Sequence, residues 1–392
     1  MDSNSPSQTS ESIHIVTPSG TVRIVRSVHE IEPALRQAAF AGQCRDFRYY
    51  EIVEETLKDQ FDYRYAILEN PQNGERAVQP FFFVDQDLTA GLARRARAVI
   101  AKIRKTFPRF LNLRMLMVGC AAGEGQIALQ SPWAIQALHD GLAIHARQTN
   151  TAIILLKEFP AEHRRDLAVF SSNGYARVPS MPGARLDLGF SSFEEYMKTR
   201  LSRVFRKNLR RKFKQSHSQP PLEFSVVQDV TDIVDELYPL YLGTHQRSEY
   251  RFETLTKEYF CQLGKRMPEK TRFFLWRQNG KLVAFSLCFL NDGGIYDMIL
   301  GMDYSVALDL HLYFISWRDL IEWAIENKIQ TYYTGPLNYD PKYHLRLGLD
   351  PLDLYARHTN AAINPFFRLA MKFLQPARHT PLLRKFRNVH EL

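Results

Sequence analysis

Arg272-Phe273-Phe274-Leu275-Trp276-Arg277-Gln278-Asn279-Gly280-Lys281-Leu282-Val283-Ala284-Phe285-Ser286-Leu287-Cys288-Phe289-Leu290 is the stretch whose reading decides the fold. Two apolar runs, 272–276 and 282–290, flank Gln278-Asn279-Gly280. An Asn-Gly pair supplies the positive-φ residues of a type I′ turn, so the stretch predicts a β-hairpin. A third strand is expected over 295–300, followed by a helix over about 310–327, a strand at Thr331-Tyr332-Tyr333 and a break at Gly335-Pro336. Phe314, Trp317, Ile321 and Ile325 recur at helical spacing and are expected on one buried face.

The first half repeats this order. Tyr65-Ala66-Ile67-Leu68-Glu69 and 77–84 flank Asn70-Pro71-Gln72-Asn73-Gly74, a turn composition between apolar runs. A basic helix intervenes, then a stretch over 113–129, a helix over 132–148 and a buried-type strand at Thr151-Ala152-Ile153-Ile154-Leu155-Leu156. Ile135, Leu138 and Leu142 form the apolar stripe of that helix. The halves share little residue identity, so the order of elements carries the case for duplication. The expected class is α/β (α+β), with two tandem domains, each a mixed central sheet flanked by helices. At 392 residues the chain exceeds one typical core, and a hydrophobic fraction of 45% can bury two.

Met1 to Ser12 is polar and expected to be disordered. It lacks the pattern of a signal peptide, and no apolar run approaches the length of a membrane span, so a cytoplasmic protein without a transmembrane segment is expected. Cys44, Cys120, Cys261 and Cys288 have no metal-ligand spacing and read as small buried hydrophobes. No metal is expected, and no HExxH or Ser/His/Asp arrangement points to a hydrolase. A net charge of +9 favours an anionic partner: a nucleotide-bearing cofactor, RNA, or an acidic membrane surface.

Ser191/Glu194 and Ser192/Glu195 read as capping pairs that start a helix. It is expected to continue through Lys214 with no acidic residue after Glu195, while Leu201, Phe205, Leu209 and Phe213 recur every four positions. Unbalanced positive charge on such a helix is a candidate phosphate site, and a solvated linker is the plain alternative. Met117-Val118-Gly119-Cys120-Ala121-Ala122-Gly123-Glu124-Gly125 resembles a nucleotide-binding loop. No helix follows Gly125 directly, because Ser131-Pro132 looks like the next helix start, so a bent strand is the better reading. The divisions are then a disordered 1–12, a first domain over 13–190, a basic linking helix over 191–221, a second domain over 222–375 and a basic tail over 376–392.

Four groups of residues carry a family resemblance. They are Ser192-Phe193-Glu194-Glu195-Tyr196 with Arg206-Lys207-Asn208-Leu209-Arg210-Arg211-Lys212; Leu300-Gly301-Met302-Asp303-Tyr304 leading to Leu312-Tyr313-Phe314; Gly335-Pro336 with Tyr343-His344-Leu345-Arg346; and Asn173-Gly174-Tyr175. In this order they resemble the tandem-domain, Fem-like and BioF-like branch of the GNAT acyltransferase superfamily. The resemblance covers most of the chain, with two departures. The glycine-rich pyrophosphate loop expected near Gly301 to Asp309 is absent, and His344 stands where the branch often has lysine.

The resemblance implies transfer of an acyl group, from acyl-CoA such as acetyl-CoA, to a small-molecule or peptide amine. The alternative within the family is an aminoacyl-tRNA donor acting on a cell-wall precursor, toward which the missing loop and the basic helix lean. Asp297 or Asp303 is then the candidate base and Tyr304 the candidate acid. Backbone amides from Ile299 to Gly301 are candidate oxyanion donors. His311, Arg206, Lys207 and Arg210 are candidates to face the donor, and Tyr339, Lys342, Tyr343 and Arg346 to face the acceptor. Asp303 and Tyr304 also read as an ordinary turn. A third reading is a non-catalytic RNA- or membrane-surface-binding protein, because Phe366-Phe367-Arg368-Leu369-Ala370-Met371-Lys372-Phe373-Leu374 is amphipathic and cationic. Docking of this stretch on the second domain is the preferred explanation for it. Function is expected in the C-terminal half, at a cleft between domains.

Overall fold

The computed structural model describes residues 12–87, 101, 102, 104, 105, 112–127, 129, 131–248 and 251–392. Among them are fifteen strands: β1 (Ile13–Thr17), β2 (Gly20–Val25), β3 (Asp62–Glu69), β4 (Arg76–Asp87), β5 (Asn112–Val118), β6 (Ile153–Pro160), β7 (Ala176–Pro179), β8 (Gly183–Asp187), β9 (Leu222–Val227), β10 (Thr271–Gln278), β11 (Lys281–Asn291), β12 (Gly294–Met302), β13 (Thr331–Thr334), β14 (Gly348–Asp350) and β15 (Leu352–His358). They form an eight-stranded sheet, β1-β2-β3-β4-β5-β6-β15-β7, and a seven-stranded sheet, β14-β8-β13-β12-β11-β10-β9.

The duplication expected from element order is present in both sheets. β3, β4 and β5 are successive antiparallel neighbours, and a helix, Pro132–Gln148, returns the chain to β6, which pairs parallel to β5. β10, β11 and β12 repeat the arrangement, and the helix Leu312–Glu326 leads to β13, parallel to β12. A parallel pair needs such a crossover, whereas the antiparallel pairs close through short turns. Gln278 pairs with Lys281, and Asn279 and Gly280 adopt φ of 52° and 77°, which makes the expected type I′ hairpin.

The next position in each sheet is filled out of order. β15 lies beside β6, and β8 lies beside β13. The compact units are accordingly discontinuous: one comprises Met1–Ala41, Lys58–Val178 and Leu354–Phe373, the other Gly42–Leu57, Pro179–Asp353 and Leu374–Leu392. The linear ranges 13–190 and 222–375 do not follow these units, because a strand's place is set by edge pairing and not by its distance along the chain.

In the first unit Ile135, Leu138 and Leu142 are buried as their spacing predicts, against Leu68, Phe81, Leu116 and Ile154. β5 ends at Val118, so the 113–129 stretch is not one strand. Gly119 and Gly123 take φ of 117° and 142°, and the Gly125 amide donates to the Glu158 carbonyl. A Cβ on Gly125 would stand 2.5 Å from the Lys157 carbonyl oxygen. These glycines let the chain return tightly against β6, which is the bent-strand reading. Of the basic helix expected before Leu113, only residues 101, 102, 104 and 105 are described, and they are helical. Residues 1–11 of the polar N-terminus lie outside the described residues.

In the second unit the helix Leu312–Glu326 buries Leu312, Ile315, Trp317, Leu320, Ile321 and Ala324. Phe314 and Ile325 pack only at its margins, so the buried face is rotated from the expected one. The single basic helix is in fact two, Phe193–Arg200 and Arg203–His217. Leu201 and Ser202 between them are extended, and Ser202 caps the second helix by accepting from the Phe205 amide. Leu209 and Phe213 are buried, and both helices belong to the core of this unit. The helix Asn364–Leu374, in contrast, is not covered as expected: Phe366 is 75% exposed and Leu374 66%. All four cysteines are buried.

Candidate active site

A bulge and a parting of strands create the site. Leu287 pairs with Ile299 and Cys288 with Asp297, so Met298 is an extra residue in β12. Pairing of β12 with β13 ends at Asp297 opposite Thr334, although β12 continues to Met302. The chain leaves β13 through Gly335, Pro336, Leu337 and Asn338, the last two at φ of 72° and 50°. A cleft of about 460 Å³ opens at this point, lined wholly by residues of the second unit.

Asp297 is enclosed at the cleft floor. Its Oδ1 accepts from the Ser286 hydroxyl at 2.5 Å and its Oδ2 from the Tyr332 hydroxyl at 2.7 Å. Burial nevertheless raises its pKa above the ordinary carboxylate value. Lys342, 5% exposed, donates to the Gly335 carbonyl oxygen. Burial brings its pKa down to about 8, opposed by the charge of Asp297. The phenols of Tyr313 and Tyr332 are pushed up by burial and by the same charge, and so stay protonated donors. Higher in the cleft, the Arg247 guanidinium lies 4.0 Å from the Tyr304 ring centroid. Trp317 Nε1 and Thr244 Oγ1 are buried without a hydrogen-bond partner, and both residues line the cleft.

Of the residues singled out from the sequence, Asp297, Ile299, Tyr304 and Lys342 meet here. Asp303 does not. It lines an adjoining hollow, where Lys281 donates to it at 2.7 Å and Ser305 closes a turn on its carboxylate. The Lys281 hydrogen bond, followed by that of Ser305, holds its pKa to about 2, which makes it a weak base. Gly301 faces away from the cleft, since a Cβ there would stand 2.2 Å from the Phe285 ring. His311 bonds to Gln215 at 2.9 Å and begins the following helix.

Arg206 and Arg210 are used locally. Arg206 Nη1 donates to the Lys198 carbonyl at 2.7 Å and to those of Met197 and Leu201, closing the end of the preceding helix, and Arg210 pairs with Glu194. Lys207 is exposed. Tyr339 donates to the Pro182 carbonyl at 2.8 Å, Tyr343 packs on Phe386, and Arg346 lies over the Tyr343 ring. None of these three lines the cleft. Ser286, Tyr332 and Trp317 had read only as strand or core residues, Tyr313 only as part of the family resemblance, and Thr244 and Arg247 carried no sequence signal.

The 303–312 segment departs from a phosphate cradle in its backbone as well as its composition. The amides of Val306 and Ala307 donate to the Asp303 carbonyl, Leu310 to Val306, His311 to Leu308, and Leu312 to Ala307. The Ser305 amide donates to Asp303 Oδ1. Six amides are thus committed inside the segment. Among the described residues no His/Cys/Asp/Glu group could hold a metal ion, and no helix is long and apolar enough to cross a membrane.

Residues 203–343 match the family model described as an acetyltransferase (GNAT) domain. No curated protein matches the sequence. Among solved structures the fold is similar to FemX, at a TM-score of 0.54 and 10% identity over 92% of this chain and 100% of that chain. It is also similar to L-PGS from Bacillus licheniformis, at a TM-score of 0.50 and 12% identity over 83% of this chain and 95% of that chain. Residues 203–343 therefore match a GNAT acetyltransferase domain, and the fold of the chain as a whole is that shared with FemX.

Proposed function

We propose that the cleft transfers an acyl group from an activated ester or thioester to an amine acceptor. The observation that carries this reading is the placement of Asp297, held through both carboxylate oxygens by Ser286 and Tyr332 where β12 and β13 part. Asp297 takes the proton as the amine nitrogen attacks the donor carbonyl carbon. Its raised pKa brings it closer than an ordinary carboxylate to that task. The backbone of 298–300, beyond the end of β13 pairing, and the indole N–H of Trp317 are the candidate donors to the developing oxyanion. Tyr304, at the cleft wall, is placed to return a proton to the leaving oxygen or sulfur.

An aminoacyl or acyl ester carried on RNA fits the donor side better than acyl-CoA. Six of the amides that could meet a pyrophosphate are spent within 303–312, and the chain carries a net charge of +9. Calorimetric titration with CoA, acetyl-CoA and charged tRNA separates the two donors: CoA binding with no tRNA binding reverses the preference. Asp297→Asn is expected to lower single-turnover transfer by about 10²- to 10⁴-fold while leaving donor affinity unchanged. Transfer at the wild-type rate in that variant excludes Asp297 as the base.

A further inference from the structure

The helix Asn364–Leu374 has two sides that the acyl-transfer site does not use. Its inner stripe is narrow. Asn364 is buried and donates to the Gly174 carbonyl at 2.9 Å, its carboxamide oxygen accepts from the His358 amide at 3.0 Å, and the Phe367 ring meets His358 edge-on. The outer stripe is apolar and open. Phe366, Leu369 and Phe373 recur at spacings of three and four and are 75%, 57% and 56% exposed, and Ile363 just before the helix is 47% exposed. Exposed large apolar side chains normally occur singly, whereas half of those on the described surface gather here.

We propose that this helix seats the protein on an anionic lipid bilayer. Eleven residues of helix extend for only about 16 Å, too short to span a bilayer and suited to lying in its interface. Charge identifies the lipid. Arg368 and Lys372 lie on the exposed arc away from the apolar stripe, and residues 354–390 contain seven Lys/Arg and no Asp/Glu. Such clusters are drawn to anionic headgroups. Self-association through the stripe would use the apolar side chains and leave the cationic arc, which lies away from it, unengaged. RNA would satisfy the cations and leave Phe366, Leu369 and Phe373 in water.

The test is flotation of the full chain with vesicles of phosphatidylcholine alone and of phosphatidylcholine mixed equally with phosphatidylglycerol. Binding to the mixed vesicles is expected to be at least about tenfold tighter. The combined Phe366→Ser, Leu369→Ser and Phe373→Ser variant is expected to lose about tenfold or more of it, and Val16→Ser, at a site 79% exposed elsewhere, none. Equal binding to both vesicle types overturns the proposal, as does undiminished binding of the triple variant. A wild-type dimer that the triple variant dissolves assigns the stripe to a second copy instead. Should the triple variant misfold, Phe366→Trp preserves the apolar face. Its emission is expected to shift blue with mixed vesicles, and no shift, or the same shift with charged tRNA, overturns the proposal.

Discussion

Asp297 and Asp303 lie six positions apart and are chemically opposite. Asp303 is tied to Lys281 and titrates near 2, so Asp303→Asn is expected to leave the rate between pH 6 and 8 within a few-fold of wild type. Asp297 is held above the ordinary value by burial. Its folded form binds a proton more readily than its unfolded form, so stability falls as pH rises from the unfolded pKa through the raised one. Asn carries no such penalty. Asp297→Asn is therefore expected to unfold at an equal or higher denaturant concentration at pH 8 while losing activity, and a large drop in stability would contradict the placement. Lys342 sharpens the test, because its charge favours the ionised carboxylate. Lys342→Met should move the acidic limb of the kcat/KM profile to higher pH. Asp297 and Lys342 were legible in the sequence as charged groups beside a strand and a loop. Ser286 and Tyr332 were not, since a hydroxyl on a strand gives no sign of which carboxylate it will meet across the sheet.

Elements were legible where the determining residues are local. Asn279-Gly280 imposes its own positive φ values, and Ser131-Pro132 marks a helix start without help from the rest of the chain. The break at Leu201 and Ser202 was missed because apolar residues four apart continue across it, while Arg206 folds back to satisfy the carbonyls that the break exposes. Gly301 shows the same dependence on neighbours. Gly301→Ala would press a methyl into the Phe285 ring and toward the Leu240 backbone, and is expected to cost about 1–3 kcal/mol in chemical denaturation. On the helix Pro132–Gln148, His145 is 1% exposed against Phe81 and Phe83, and burial lowers its pKa to about 4. Its contribution is complete above the unfolded pKa near 6.5 and is lost as pH falls toward 4, a loss of about 3 kcal/mol at most. His145→Phe should flatten the pH dependence of urea unfolding across that window, and an unchanged slope would place the acid sensitivity elsewhere.

For the whole molecule, the order of elements revealed the duplication, but strand exchange was out of reach of sequence reading. β8 and β15 have similar lengths and apolar patterns, and nothing local says which sheet edge each will join. The exchange makes a strong prediction about the segment that carries the family match. Residues 203–343 contain β9 to β13 but omit β8, β14 and the helix Phe193–Arg200. Expressed alone, the segment would leave the edge of β13 unpaired and strip Leu186, Phe193, Tyr196 and Met197 from its core. It would also lack the helix Phe47–Thr56, whose Tyr49 bonds to Tyr259 at 2.9 Å. An unpaired edge of strongly strand-forming residues, here Thr331-Tyr332-Tyr333-Thr334, is an aggregation site. The isolated segment is expected to be insoluble or to unfold without a cooperative transition in circular dichroism. Extension to 179–353 should restore the sheet, and a cooperative melt should require residues 42–57 as well. A sharp, reversible transition from 203–343 alone would mean that the borrowed strand and helices are dispensable to this fold.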